Sequence, residues 1–282
     1  MITAPTQTGA DFSIVYYPDT QEYITDPPTL FNTMTQWTVD NKYKYKINMA
    51  AFMGDIVLTS DVASWEIADV ALNILRNDGI DIFAVPGNHD YETVATRTTT
   101  LYNTRFGVGN YTKVTGYYDN EYGDNYYALL TMGGTDVLLL ALEFGARSVV
   151  IDWAKTIMEA NTTAYTIVVT HAFMYDDATR ISVGDDYNPK TLGADSDGDD
   201  LWTGLIKLYT NIRQVWSGHE TGFNWRMDYG DGGNKVFQFL NAHGSVDTHM
   251  VIAEYYLSSE IVKVTRFLAS TGAVTHEVII AL

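Results

Sequence analysis

Six side chains that can bind a metal ion stand just past the ends of apolar runs in this chain. Asp19 and Gln21 follow FSIVYYP, Asp55 follows AAFMG, Asn88 follows IDIFAVPG, His171 follows TIVVT and His219 follows RQVWSG. His89 and Asp90 complete a Gly-Asn-His-Asp cluster. Singly these are weak signals, since a lone histidine at a strand end is more often hydrogen-bonded structure than ligand. Together they offer carboxylate, amide oxygen and imidazole without thiolate, a donor set for borderline to hard divalent or trivalent ions: Mn, Fe, Zn, Mg or Ca. A carboxylate such as Asp55 can bridge two ions at the roughly 3.5–4 Å separation of two-metal hydrolases. Gly54, Gly87 and Gly218 directly precede Asp55, Asn88 and His219, where a Cβ would obstruct a close backbone approach.

Strand-length apolar runs precede each of these positions. FSIVYY (12–17), MAAFMG (49–54), IDIFAV (80–85), DVLLLAL (136–142), YTIVVT (165–170) and IRQVWS (212–217) read as buried strands. Amphipathic, helix-length segments lie between many of them, at 30–45, 62–77, 94–106, 149–160 and 201–209. Strand and helix alternate, which predicts a mostly parallel α/β core. In such sheets the carboxyl ends of the strands converge on one edge where ligands bind, so five strand ends would bring the six side chains together. From about residue 234 the texture changes to four strand-like runs with short turns, the pattern of an antiparallel meander. The polar stretch VGDDYNPKTLGADSDGDD (183–200) reads as a surface loop. Its DSDGDD only faintly resembles a calcium loop, lacking the EF-hand spacing and closing glutamate.

A chain of 282 residues, 46% hydrophobic, can bury a substantial core, and one domain over residues 1–282 is expected. With 35 acidic against 17 basic residues the net charge is −18, which repels long polyanions and argues against a nucleic-acid partner. Cysteine is absent, excluding disulfides, thiolate metal sites and a cysteine nucleophile. The N-terminus has neither the basic start nor the apolar stretch of a signal peptide, and no run of about 18 apolar residues suggests a membrane span. The acidic, lysine-poor composition leans towards an extracellular setting.

The ordered set Asp-x-Gln, Gly-Asp, Gly-Asn-His-Asp, His and Gly-His resembles the calcineurin-like metallophosphoesterase superfamily, in particular a branch whose first motif reads Asp-Thr-Gln. The surrounding stretches GDIV with SWEIADVALNIL, LEFGA, IVVTHAF, NIRQVWSGHE and DGGNKVFQFLN extend the resemblance over residues 12–245. It implies a four-layer α/β/β/α sandwich of two mixed sheets, and a two-metal centre that hydrolyses a small phosphomonoester or phosphodiester. One ion would be held by Asp19, Gln21 and bridging Asp55, the other by Asp55, Asn88, His171 and His219. A water or hydroxide between them would attack phosphorus. His89 would protonate or stabilise the leaving oxygen, and Asp90 would orient its ring; alternatively Asp90 caps a helix starting in YETVATRTTTLY.

One departure stands out. The family's last motif is usually Gly-His-x-His, whereas this chain has Gly218-His219-Glu220-Thr221. The first ion would then keep two carboxylates and an amide oxygen but no imidazole, and Glu220 swinging in would replace the lost ligand with a carboxylate. The rival reading is a metal- or carbohydrate-binding module of a larger surface or viral protein, with a decayed site. His243, His249 and His276 read as structural strand or turn histidines. Among the 20 tyrosines, those of GYYDNEYGDNYY (116–127) could line a substrate cleft.

Overall fold

A computed structural model describes residues 9–24, 29–111, 113–119, 121–242 and 248–282. In chain order the elements are β1 (Phe12–Tyr17), α1 (Thr29–Tyr45), β2 (Ile47–Phe52), α2 (Val62–Asn77), β3 (Asp81–Ala84) and α3 (Thr100–Phe106). Then come β4 (Gly116–Tyr117), β5 (Tyr126–Met132), β6 (Thr135–Ala141), α4 (Ser148–Ala160), β7 (Tyr165–Ala172) and α5 (Gly198–Gly204). The last are β8 (Ile212–Gly218), β9 (Phe223–Tyr229), β10 (Lys235–Asn241), β11 (His249–Tyr256), β12 (Ile261–Leu268) and β13 (Val274–Ala281).

Two mixed sheets face each other. The first has the order β13-β12-β11-β1-β2-β3, with β1, β2 and β3 parallel and the other three antiparallel. The second runs β4-β5-β6-β7-β8-β10-β9, with β6, β7, β8 and β10 parallel. Ile14, Ala51 and Phe83 from one sheet share a core with Ile167, Val169 and Phe239 from the other. Tyr16 of β1 stacks on Trp216 of β8 with ring centroids 3.8 Å apart, and Trp216 stacks on Phe239 at 4.2 Å. Such rings bury large apolar areas and fix how the two sheets lie together.

Helices cover both outer faces. In α2 the buried residues Trp65, Ala68, Ala71, Leu72 and Leu75 recur at helical spacing, and Asp61 caps the first turn by accepting Ser64 N at 2.8 Å. With α1 it covers the first sheet, while α4 and α5 cover the second. The expected four-layer α/β/β/α arrangement is therefore present. The parallel strands are buried on both faces, which explains their continuous apolar runs.

Four details differ from the sequence reading. The run at 235–241 is β10, which joins the second sheet beside β8, so the C-terminal meander comprises only β11, β12 and β13. Residues 94–106 form a short 3-10 turn and then α3 rather than one helix. Residues 197–200 are not solvated loop: Asp197 caps α5 reciprocally with Asp200 and pairs with Lys190 at 3.1 Å. Tyr126, at the end of GYYDNEYGDNYY, is core, and its hydroxyl donates to the Ala84 carbonyl at 3.1 Å.

Candidate metal centre

Every expected site residue lies at a strand's carboxyl end or in the turn that follows it. Asp55, after β2, adopts a left-handed backbone (φ 49°) next to Gly54 at φ 96°. A non-glycine residue held there is a local strain of the kind that concentrates at functional sites. Its Oδ1 accepts His89 N at 2.9 Å, and its Oδ2 lies 3.1 Å from His171 Nε2. Glycine is required alongside: a Cβ on Gly87 would run into the Asp55 carboxylate, and one on Gly54 would stand 2.6 Å from His171 Nδ1.

Asp19, after β1, is fully buried. Its Oδ2 accepts His219 N at 3.0 Å, and its Oδ1 lies against Gly218, where a Cβ would collide with it. Gln21 begins a 3-10 turn and donates its backbone N–H to the Asp55 carbonyl at 2.9 Å. Asn88 opens the 3-10 turn after β3. His171 donates Nδ1–H to the Met53 carbonyl at 2.7 Å, which turns Nε2 towards Asp55. His219 (φ 76°) has Nδ1 3.3 Å from His171 Nε2, and its Nε2 donates to the Tyr187 carbonyl at 2.8 Å. Ligand atoms of Asp55, His171 and His219 all fall within 4.8 Å of one another. The Phe144 ring packs on both imidazoles, with centroids 5.7 and 5.4 Å away.

Asp19 Oδ1, Gln21 Oε1 and Asn88 Oδ1 are buried acceptors without a hydrogen-bond partner. Buried acceptors normally find donors, because leaving one unpaired costs about 1–3 kcal/mol. Three oxygen atoms lacking donors, beside the Asp55 carboxylate and two imidazoles, are what a cation site requires, so these residues fit a bound metal. The electrostatics agree. Burial pushes the Asp19 carboxyl well above the usual range despite His171. Burial also raises Asp55, but the charge and hydrogen bond of His171 outweigh it and hold the group low. His171 is drawn down by burial, yet Asp55 and then Asp19 overturn that and lift it to about 9. His219 is pushed down to about 4 by burial and by the His171 charge. Asp55 and Asp19 thus favour a positive charge between them, the charge a bound cation would supply in place of the His171 proton.

Asp90 does not orient His89. The His89 Nδ1 pairs with the Leu58 carbonyl at 2.7 Å, whereas Asp90 accepts Ile56 N, Val57 N and Gly87 N at 2.9, 3.1 and 2.9 Å. Asp90 therefore clamps the Asp55 turn to the Asn88 turn, and it caps no α-helix, because Thr99 stands at the cap of α3. Glu220 keeps a buried Oε1 without a partner, but its charged neighbours are Asp176, Asp186 and His171, and burial lifts it to about 7. Thr221 is exposed. His243 lies outside the described residues; His276 stands exposed on β13 near Phe223. The carbonyls of Met53, Leu58 and Tyr187 had no sequence signal, since every residue has a carbonyl.

The calcineurin-like phosphoesterase family model matches residues 14–222. An uncharacterised Bacillus subtilis protein, YvnB, is 25% identical over 213 residues, which is 74% of this chain but 15% of that protein's length. The chain thus corresponds to a small part of this relative. A dimetal phosphatase from Danio rerio superposes with a TM-score of 0.61 at 10% identity, covering 96% of this chain and 99% of that one. A purple acid phosphatase from yellow lupin seeds gives 0.64 at 11% identity, covering 99% of this chain and 55% of that one. At such identities the likeness is one of fold.

Proposed function

The chain belongs to the calcineurin-like phosphoesterase family, and on that premise we propose that it is a metal-dependent hydrolase of phosphoric esters working through two ions. The observation that carries this reading is the set of donor-less buried oxygens of Asp19, Gln21 and Asn88 around Asp55, His171 and His219. Asp19, Gln21 and Asp55 would hold one ion; Asp55, Asn88, His171 and His219 the other. Bound cations would lower the pKa of a water between them and neutralise charge on the phosphoryl oxygens.

The remaining work falls to side chains. His89 has Nδ1–H committed to the Leu58 carbonyl, so a protonated Nε2 is the atom that can give a proton to the departing oxygen. The Asp90 clamp keeps the two turns carrying Asp55 and Asn88 in register. Asp176 and Asp186 act on Glu220, which also faces His171 of the centre, and this acidic flank repels a dianionic monoester more than a monoanionic diester. A small phosphodiester is therefore the favoured substrate class. An extracellular setting suits the acidic composition; among the described residues no helix is long and apolar enough to cross a membrane.

The test is metal analysis of purified protein, followed by hydrolysis of bis(p-nitrophenyl) phosphate and p-nitrophenyl phosphate after chelation and re-addition of Mn, Zn, Mg or Ca. Restored turnover, greater on the diester, is expected. Bound metal with no hydrolysis of either ester would instead support a metal- or carbohydrate-binding module.

A further inference from the structure

His219 does not place itself. It sits at φ 76°, a left-handed backbone unusual for an imidazole residue, and its ring needs an outside partner to settle which nitrogen carries the proton. That partner is the Tyr187 carbonyl, 2.8 Å from Nε2. A carbonyl can only accept, so Nε2 is the donor and Nδ1 is left with a bare lone pair. Nδ1 is the nitrogen 3.3 Å from His171 Nε2, on the side of Asp55.

Tyr187 is itself left-handed, at φ 51°, and the residue is 69% exposed. Little side-chain packing accompanies this unfavourable backbone; what the conformation does is turn the carbonyl towards His219. Both flanking residues are braced. The Tyr175 hydroxyl donates to the Asp186 carbonyl. Asn188 is buried and donates Nδ2–H to the Ser182 carbonyl at 2.7 Å and to Asp197 Oδ2 at 3.2 Å. His171 and His89 lean on carbonyls of Met53 and Leu58 beside β2; His219 alone among these three leans on the loop before α5.

We propose that the Tyr187 carbonyl is a positioning group for the metal centre, holding His219 in the tautomer whose Nδ1 is free to bind the ion. Outer partners of this sort fix tautomer and ring orientation, and removing one typically weakens metal binding about 10–100-fold. The inference rests on the proposed function only in assuming a cation at the centre.

Long-range proton–nitrogen NMR on metal-free protein labelled at histidine nitrogen reads the tautomer directly, and calorimetric titration with Mn or Zn reads affinity. The expected wild-type state is Nε2–H. Tyr187→Gly retains the carbonyl and permits the left-handed backbone without steric cost, and should weaken metal binding far less than the proline variant. Tyr187→Pro locks φ near −65°, carries the carbonyl away, and should bind about 10–100-fold more weakly with the tautomer preference lost. Should the proline variant not fold, Tyr175→Phe removes one brace and should shift affinity and tautomer in the same direction by less. An Nδ1–H wild type overturns the proposal. So does undiminished affinity in Tyr187→Pro, or equal weakening in the glycine and proline variants. Metal bound in the expected tautomer without ester hydrolysis would refute the hydrolase reading and leave this one standing.

Discussion

The Asp19 carboxylate accepts the backbone N–H of His219 at 3.0 Å, joining residues 200 positions apart in the chain. The bond ties the end of β1 in one sheet to the end of β8 in the other, so the centre exists only once the two sheets have docked. It also holds one Asp19 oxygen in place and leaves the other, Oδ1, without a donor.

Asp19 should therefore control one ion and not the other. In Asp19→Asn the amide oxygen can still accept His219 N, but a charge is lost from an all-oxygen set that has no imidazole. A two-step Mn titration should lose its weaker step and keep the tighter one, which belongs to the set with His171 and His219. Metal-free Asp19→Asn should melt higher than the metal-free wild type, because the buried carboxylate is costly there. Loss of the tighter step instead would mean the two sets are assigned wrongly.

Asp55→Asn should remove turnover while leaving the fold. The amide oxygen can take His89 N in place of Oδ1, but the bridging charge is gone. Since metal ions supply several kcal/mol of transition-state stabilisation, the expected loss in kcat is on the order of a thousandfold or more. Circular dichroism, metal analysis and diester hydrolysis on the same sample check this, and appreciable activity would count against a bridging role.

Gly87→Ala isolates sterics from backbone preference. Gly87 has φ −91° and ψ 177°, which alanine adopts freely, so its effect must come from the added methyl meeting Asp55. A destabilisation of about 1–3 kcal/mol is expected, together with weaker metal binding, measured by denaturant unfolding and calorimetry. Wild-type values for both would show that the turn relaxes without disturbing Asp55.

His89→Ala should slow hydrolysis about 10²–10⁴-fold and leave metal content nearly intact, because no ligand atom is removed. The loss should be larger for an alkyl leaving group than for p-nitrophenolate, which needs little protonation. Steady-state kinetics on a series of diesters with leaving groups of rising pKa provides the measurement. A slope unchanged from the wild type would exclude the proton-donor role.

Away from the centre, Asp124 predicts a pH dependence of stability. Burial lifts it from 3.8 to about 7, with Thr99 and Asn103 donating to its oxygens at 2.8 and 2.9 Å. Between those values the native state keeps a proton that the unfolded chain has lost, so stability falls as pH rises from about 4 to about 7 and stays low above. At about 1.4 kcal/mol per pH unit the cost reaches a few kcal/mol at most. Asp124→Asn is neutral throughout, and the Thr99 hydroxyl can accept instead of donate. Urea unfolding across this range should therefore show a flatter decline for the variant than for the wild type.

Much of the centre could be read from the chain alone, because its ligands follow strands buried on both faces. FSIVYY, IDIFAV and YTIVVT announce themselves as mostly apolar runs, interrupted only by Ser13, Asp81, Thr166 and Thr170, and Asp19, Asn88 and His171 come within three residues of their ends. Gly54, Gly87 and Gly218 were legible for the same reason: a missing Cβ is a local fact. Composition narrowed the donor set, since without cysteine no thiolate is available.

Only the tertiary structure decided the rest. β10 looks like the neighbouring meander strands in sequence, but which sheet a strand joins depends on partners far away, and β10 pairs with β8. Asp90 sits beside His89 in the chain, yet adjacent side chains on a turn diverge, so its oxygens reach the backbone of the next turn while His89 finds Leu58. Glu220 likewise follows His219 but has Asp176 and Asp186 for neighbours. The carbonyls that hold the three histidines have no residue-type signature at all; they become partners only when the folded backbone turns them inward.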